Sequence, residues 1–180
     1  ILAYAENRQH EKIIGFINEI MEESGMTIAA ISNSGNIVID SLIGYWYVTA
    51  KKKEIDFQTD ICIPMMLPFK GADICLILGN LLENAVEGCQ KVSEGQRIIR
   101  LNLHSKGNFL FIKCENSCNE DNLRITNGKY KSSKKNSDRH GYGLKIINGI
   151  AEKYNGILNV QVRGGFFAVT TTLCLDENNE

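Results

Sequence analysis

Leu78-Gly79-Asn80-Leu81-Leu82-Glu83-Asn84-Ala85-Val86-Glu87 is the stretch on which the fold turns. It lies inside residues 71–92, which read as one long helix. At about 100° per residue, Ile74, Leu78, Leu81, Ala85, Cys89 and Val92 fall on one face and make a core stripe. Asn80, Glu83, Asn84 and Glu87 fall together on the opposite side. A solvated surface is the ordinary account of such a stripe. Two asparagines spaced i, i+4 are less ordinary, because Asn is a poor helix former with little reason to stand mid-helix. Its amide offers a neutral oxygen to a hard cation and a donor to phosphate. Magnesium keeps most of its waters and takes one or two protein oxygens beside substrate phosphates, a need that an asparagine-plus-acid stripe meets.

Downstream of this helix, Ile98 to His104 and Asn108 to Cys114 read as strands, with Lys106-Gly107-Asn108 as a hairpin turn. Residues 119–141 are polar, rich in Asn, Ser, Lys and Gly, and long enough to be a lid or binding loop. Residues 142–154 read as a helix ended by Asn155-Gly156. Two strands follow, Ile157 to Val162 and Phe166 to Leu175, joined through Gly164-Gly165. Upstream, Pro64 and Pro68 divide unlike halves, and Ile55, Phe57, Thr59 and Ile61 alternate as a half-buried strand does. Earlier still, Ile13, Ile14, Ile17, Ile20 and Met21 recur at helical steps up to Gly25. Asn36 caps a second helix carrying Ile39, Leu42, Ile43, Tyr47 and Ala50, closed by Lys51-Lys52-Lys53. The order predicts an α+β fold: a two-layer sandwich of a mixed, mostly antiparallel sheet with helices on one face, preceded by an N-terminal helical segment. Residues 1–53 form that segment and residues 54–180 the sheet-bearing domain.

Two further elements carry chemistry. Arg139-His140-Gly141-Tyr142-Gly143-Leu144 leads directly into a helix. Glycines at a helix entry let a ligand approach the backbone, and the unpaired N–H groups there attract anions. The loop before them holds Lys129, Lys131, Lys134, Lys135 and Arg139, five cations in eleven residues. A basic loop abutting a helix start suits a triphosphate. The pattern is neither a P-loop nor a Rossmann fingerprint. Asn116, after the strand ending at Cys114, is either a turn residue or a side chain that reads a base edge, having both a donor and an acceptor.

In this order the elements resemble the GHKL ATP-binding catalytic domain of sensor histidine kinases. Leu78 to Glu87 resembles the N box, and Cys114-Glu115-Asn116-Ser117 a divergent first glycine box. Tyr130 to Lys135 with His140-Gly141-Tyr142-Gly143-Leu144 resembles the lid and second glycine box. Glu-Asn-Ser, a Ser-Lys lid and His-Gly-Tyr-Gly-Leu together are similar to the Agr-type, peptide-sensing branch. The likeness covers roughly residues 36–175. It implies that Asn84 holds magnesium and triphosphate, with Asn80 and Glu87 beside it on the nucleotide face. It implies adenine contact at Asn116, where the broader family has the Asp of D-x-G-x-G; the glycines of that box are missing here. Lys134, His140, Gly141, Gly143 and Leu144 close over the phosphates in the implied site, and Glu83 assists the acceptor histidine as a catalytic carboxylate. ATP-hydrolysing relatives (gyrase, mismatch-repair and heat-shock chaperone types) carry a water-activating Glu where this chain has Asn80. The resemblance therefore implies phosphoryl transfer rather than hydrolysis.

The implied activity is that of a protein histidine kinase, which passes the ATP γ-phosphoryl to a histidine and then to a response regulator, as a homodimer in the full-length protein. His10-Glu11 has the acceptor dipeptide, yet residues 5–24 look more like the second helix of a dimerisation hairpin. The phosphorylated histidine is then expected upstream of Ile1, and the fragment alone to lack its own substrate. Two other readings share the pocket: an ATP-hydrolysing or serine-kinase relative, and a degenerate dimerisation scaffold.

Composition is compatible with all three. Of 180 residues, 43% are apolar and 23% charged, and 20 Lys plus Arg against 21 Asp plus Glu give a net charge of −1. That balance argues against a nucleic-acid surface. Cys62, Cys75, Cys89, Cys114, Cys118 and Cys174 form no C-x-x-C pair and read as reduced thiols. No stretch reaches the ~20 apolar residues of a membrane span, and no signal peptide opens the chain. The expectation is a cytoplasmic piece of a membrane-bound sensor. The signal sensed and the cognate regulator are not written in it.

Overall fold

The computed structural model describes residues 34–93, 95–119, 124–126, 129–131 and 142–175. Helix α1 (Ile37–Lys51) starts at Asn36, whose side chain accepts a hydrogen bond from the Ile39 N–H at 3.2 Å. Strand β1 (Asp56–Cys62) leads to helix α2 (Gly71–Gln90), then β2 (Ile98–Lys106) and β3 (Phe109–Ser117). A short antiparallel pair, β4 (Arg124–Thr126) and β5 (Lys129–Lys131), lies within the span expected to be one polar loop. Helix α3 (Tyr142–Lys153), β6 (Leu158–Arg163) and β7 (Phe166–Cys174) complete the order.

Five strands form one sheet in the order β1-β2-β3-β7-β6. Strand β1 runs parallel to β2, and the other three pairs are antiparallel. Parallel neighbours need a crossover, and α2 supplies it, which carries this helix across the sheet. Alternation then sorts the faces. Ile99, Leu101, Leu103, Leu110, Ile112, Cys114, Val169 and Leu173 point inward and are buried. They share one core with Ile74, Ile77, Leu78, Leu81, Leu82, Ala85 and Val86 of α2 and Ile147, Ile150 and Ala151 of α3. Ile39, Ile43 and Ala50 of α1 belong to the same core. The other sheet face is open: Phe109 and Phe111 stack there, centroids 6.1 Å apart and partly exposed. The expected α+β architecture, with helices on one face, is what the chain adopts.

Several local expectations shift. Helix α2 ends at Gln90, so Val92 stands beyond it, half-buried. Its buried surface is wider than the expected stripe, adding Ile77, Leu82 and Val86, because the helix packs on the sheet and on both neighbouring helices. Strand β3 continues past Cys114 to Ser117, because β2 and β7 pair with it on both sides. Asn116 thus lies inside a strand, not after one. Burial pushes the thiols of Cys89 and Cys114 up to about 11 and about 12. They are packing groups, not nucleophiles. The Ile13–Met21 helix and His10 fall outside the described residues.

Helices α2 and α3 pack antiparallel, fastened at one end. The Asp73 carboxylate, in the first turn of α2, accepts from Lys153 Nζ at 2.5 Å and from Tyr154 Oη at 2.6 Å. Tyr154 Oη also accepts from the Lys70 N–H at 3.2 Å, and its ring meets Phe69 edge-on at 5.3 Å. The bonds from Lys153 and Tyr154 hold the Asp73 carboxyl below its ordinary value of 3.8. From this fastening, α2 outruns the start of α3 by residues 85–90, about 9 Å of helix.

Candidate nucleotide site

The first turn of α3 and the middle of α2 come together at Gly143. A Cβ built on Gly143 would stand 2.9 Å from Asn80 Oδ1 and 3.3 Å from Asn84 Nδ2. Backbone and amides therefore meet face to face, with no side chain between them. The expected pair of helices is adjacent, on the same side of the sheet, and the asparagine stripe looks at the amino end of α3. This is why Asn80 and Asn84 are half-buried rather than solvated, whereas Glu83 is exposed and Glu87 half-buried.

The two amides are committed differently. Asn80 Nδ2 donates to the Leu76 carbonyl at 2.7 Å, so its nitrogen is used and Oδ1 faces α3. Back-bonding of this kind holds a mid-helix Asn in one rotamer. Asn84 makes no hydrogen bond among the described residues. A half-buried amide without a protein partner is open to water or to a ligand. Among the described residues there is no cluster of three or more acidic, Cys or His side chains able to cage a metal. Magnesium bound through Asn84 would thus depend on phosphate and water for its other ligands, which is how that ion is ordinarily held. The donor set fits it.

Asn116 approaches α2 from below. It is 4% exposed, and its Nδ2 donates to the Ser117 carbonyl at 2.9 Å. Its inward row in the sheet is Ile99, Asn116, Phe167 and Val162. The residue opposite is Gly88, where an added Cβ would fall 2.4 Å from Asn116 Nδ2. Gly88 was not among the expected site residues. Its signal was a glycine inside a helical stretch, where Ala is preferred by about 1 kcal/mol. Gly88 is one turn beyond Asn84 and two beyond Asn80, so contacts to Asn116 and Gly143 are about 6–12 Å apart along the helix. Leu144 packs against the core and Tyr142 is exposed. Lys134, His140 and Gly141 lie outside the described residues. The shallow depressions on the open sheet face, around Phe109 and Phe111, are away from all these groups.

The model of the GHKL domain matches residues 69–174, more than half of the chain. The chain belongs to the GHKL family. The match begins just before α2 and ends with β7, so it contains every contact described in this section. Solved structures agree on the GHKL fold. The catalytic domain of histidine kinase ThkA is 17% identical, with a TM-score of 0.58 over 79% of this chain and 92% of that one. Acinetobacter baumannii histidine kinase AdeS is 12% identical, with a TM-score of 0.56 over 98% and 82%. Mycobacterial sensor histidine kinase MprB is 15% identical, with a TM-score of 0.53 over 76% and 93%. The comparison with curated proteins found no match.

Proposed function

We propose that this GHKL domain is the ATP-binding catalytic portion of a protein histidine kinase of the Agr-type, peptide-sensing branch. The observation that carries the reading is the meeting of Gly143 with Asn80 and Asn84. A triphosphate laid there finds unpaired N–H groups of the α3 start on one side and the free Asn84 amide on the other. Asn84 and the phosphates would hold magnesium, which when bound neutralises charge on the phosphate oxygens.

Asn80 favours transfer over hydrolysis. Its amide has no basic site for a proton, and its nitrogen is engaged by Leu76, so it is no general base for water. In transfer to histidine, an N–P bond forms as the P–O bond to the departing ADP breaks, and the imidazole keeps one proton to be held. Glu83, exposed beside the amides, is the carboxylate open to a histidine arriving from outside. We place that histidine outside this fragment, with residues 1–53 leading from the dimerisation hairpin of a homodimeric, membrane-bound sensor. The boundary after residue 53 is then one of role, since α1 packs in the same core. A response-regulator aspartate is the onward acceptor. No described helix is long and apolar enough to cross a membrane.

Calorimetric titration with a non-hydrolysable ATP analogue and magnesium tests the reading. The expected affinity is micromolar to millimolar, about −8 to −4 kcal/mol, largely lost in Asn84→Ala. Absence of binding by the unaltered chain would leave it a GHKL-shaped scaffold.

A further inference from the structure

We infer that the exposed face of α1 is the seat of this chain's own residues 11–24, packed on it as an antiparallel helix. The inference does not rest on the nucleotide reading. Helix α1 has two charged residues in fifteen, Asp40 and Lys51. Asp40 accepts from the Ser34 N–H at 3.2 Å and from its hydroxyl at 2.8 Å. A helix nearly apolar on all sides is ordinarily covered on all sides. Here Ile39, Ile43 and Ala50 enter the core, while Ile37 is 79% exposed, Tyr45 is 64% exposed and Val38 is exposed with them. At about 100° per residue, Ile37, Ser41, Tyr45 and Val38 share one face. Met65 and Met66, both exposed, extend it at the amino end. The Met65 carbonyl accepts from Asn36 Nδ2 at 3.2 Å, and a Cβ on Gly35 would meet the Met65 side chain at 3.5 Å. Exposed apolar residues gathered in this way mark a contact surface.

What precedes the face selects its occupant. Residues 1–33, outside the described residues, join the rest of the chain at Ser34 and Gly35, beside Met65. Within them Ile13, Ile14, Ile17, Ile20 and Met21 fall inside about 120° of a helix. The charged residues of that stretch, Glu11, Lys12, Glu19, Glu22 and Glu23, all fall outside that arc. A helix over 11–24 is about 21 Å long and α1 about 22 Å, so the two match end to end. Residues 25–36 between them span far more than the 8–10 Å that separates packed helices. Laid antiparallel, Glu22 and Glu23 come to the amino end of α1, where the helix dipole favours carboxylates, and Glu11 comes to Lys51-Lys52-Lys53. A tether this short also holds the segment near the face at an effective concentration of about millimolar, ahead of any free partner. Packed so, the N-terminal helix and the sheet-bearing domain turn as one body.

Amide hydrogen exchange on the full chain tests this. Amides 13–21 should be protected in the unaltered chain, equally at high and low protein concentration. Ile37→Lys with Tyr45→Lys, both exposed and outside the core, should cut that protection about tenfold or more and leave β2 and β3 amides as they were. Should that variant not fold, Ile17→Lys tests the same contact from the other side. Trp46 is the sole tryptophan of the chain, and its ring meets Tyr45 edge-on at 5.4 Å. Its fluorescence should shift to the red in Ile17→Lys. Protection that survives the α1 substitutions, is missing from the unaltered chain or fades on dilution as a second copy dissociates overturns the inference. So does an unmoved Trp46 emission in Ile17→Lys.

Discussion

The two ends of the α2–α3 pair are finished in opposite ways. At the Asp73 end one carboxylate takes both Lys153 and Tyr154, the tyrosine oxygen takes a backbone N–H, and Phe69 closes the ring contact. At the Gly143 end the helices meet over bare backbone, and the amide of Asn84 makes no hydrogen bond among the described residues. Polar groups at the first end are spent on each other and stabilise the fold. At the second, Asn80 spends its nitrogen on its own helix and Asn84 keeps its whole amide open to water or a ligand. On the proposed reading, the difference teaches that stability and binding are assigned to separate turns of the same helices.

The strongest challenge to that division is a side chain at the open end. Gly143→Val should weaken binding of an ATP analogue on the order of a hundredfold, about 2.7 kcal/mol, a larger loss than it causes in unfolding free energy, since the added side chain displaces the Asn80 and Asn84 amides. Calorimetry and a melting curve on one preparation read both. Comparable losses in the two would break the comparison. At the fastened end Tyr154→Phe should do the reverse, lowering unfolding free energy by about 1 kcal/mol and leaving analogue affinity alone. Denaturant titration at constant m-value checks it.

Two smaller effects sharpen the contrast. Gly79→Ala meets open space, so relief of helix entropy should raise stability by about 0.5–1 kcal/mol, read as a shift in denaturation midpoint. The smallest effect is in acid. Because Asp73 has a lowered folded value, its contribution is complete above the ordinary 3.8 and fades as pH falls from there through the folded value. Asp73→Asn should flatten that part of the stability profile, and a profile identical to the unaltered chain would remove Asp73 from the fastening.

Much of this was legible along the chain. Periodicity located α2 and α3, Asn36 announced the start of α1, and Gly107-Asn108 and Gly164-Gly165 marked the hairpins. The Asn80–Asn84 spacing and the glycine at the α3 start pointed to two halves of one site. What the chain did not show locally was the partner of Asn116, of Gly88 and of Asp73. The polar run Glu115-Asn116-Ser117 reads as a strand end, but β2 and β7 pair with it and carry the strand on. Gly88 gave a weak local signal, since its meaning depends on a side chain 28 positions away. The Asp73–Lys153 bond spans 80 positions and has no local mark at all.

The sequence by itself determined the elements, their inward faces and the kind of chemistry each could support, because helix and strand periods and side-chain donors are local properties. Tertiary structure alone decided that Gly143 stands against Asn80 and Asn84, that Gly88 makes room for Asn116, and that one end of the helix pair is tied while the other is open. Those are distances between residues far apart in the chain. They follow from how a parallel crossover and an antiparallel helix pair pack on one sheet, which no single stretch encodes.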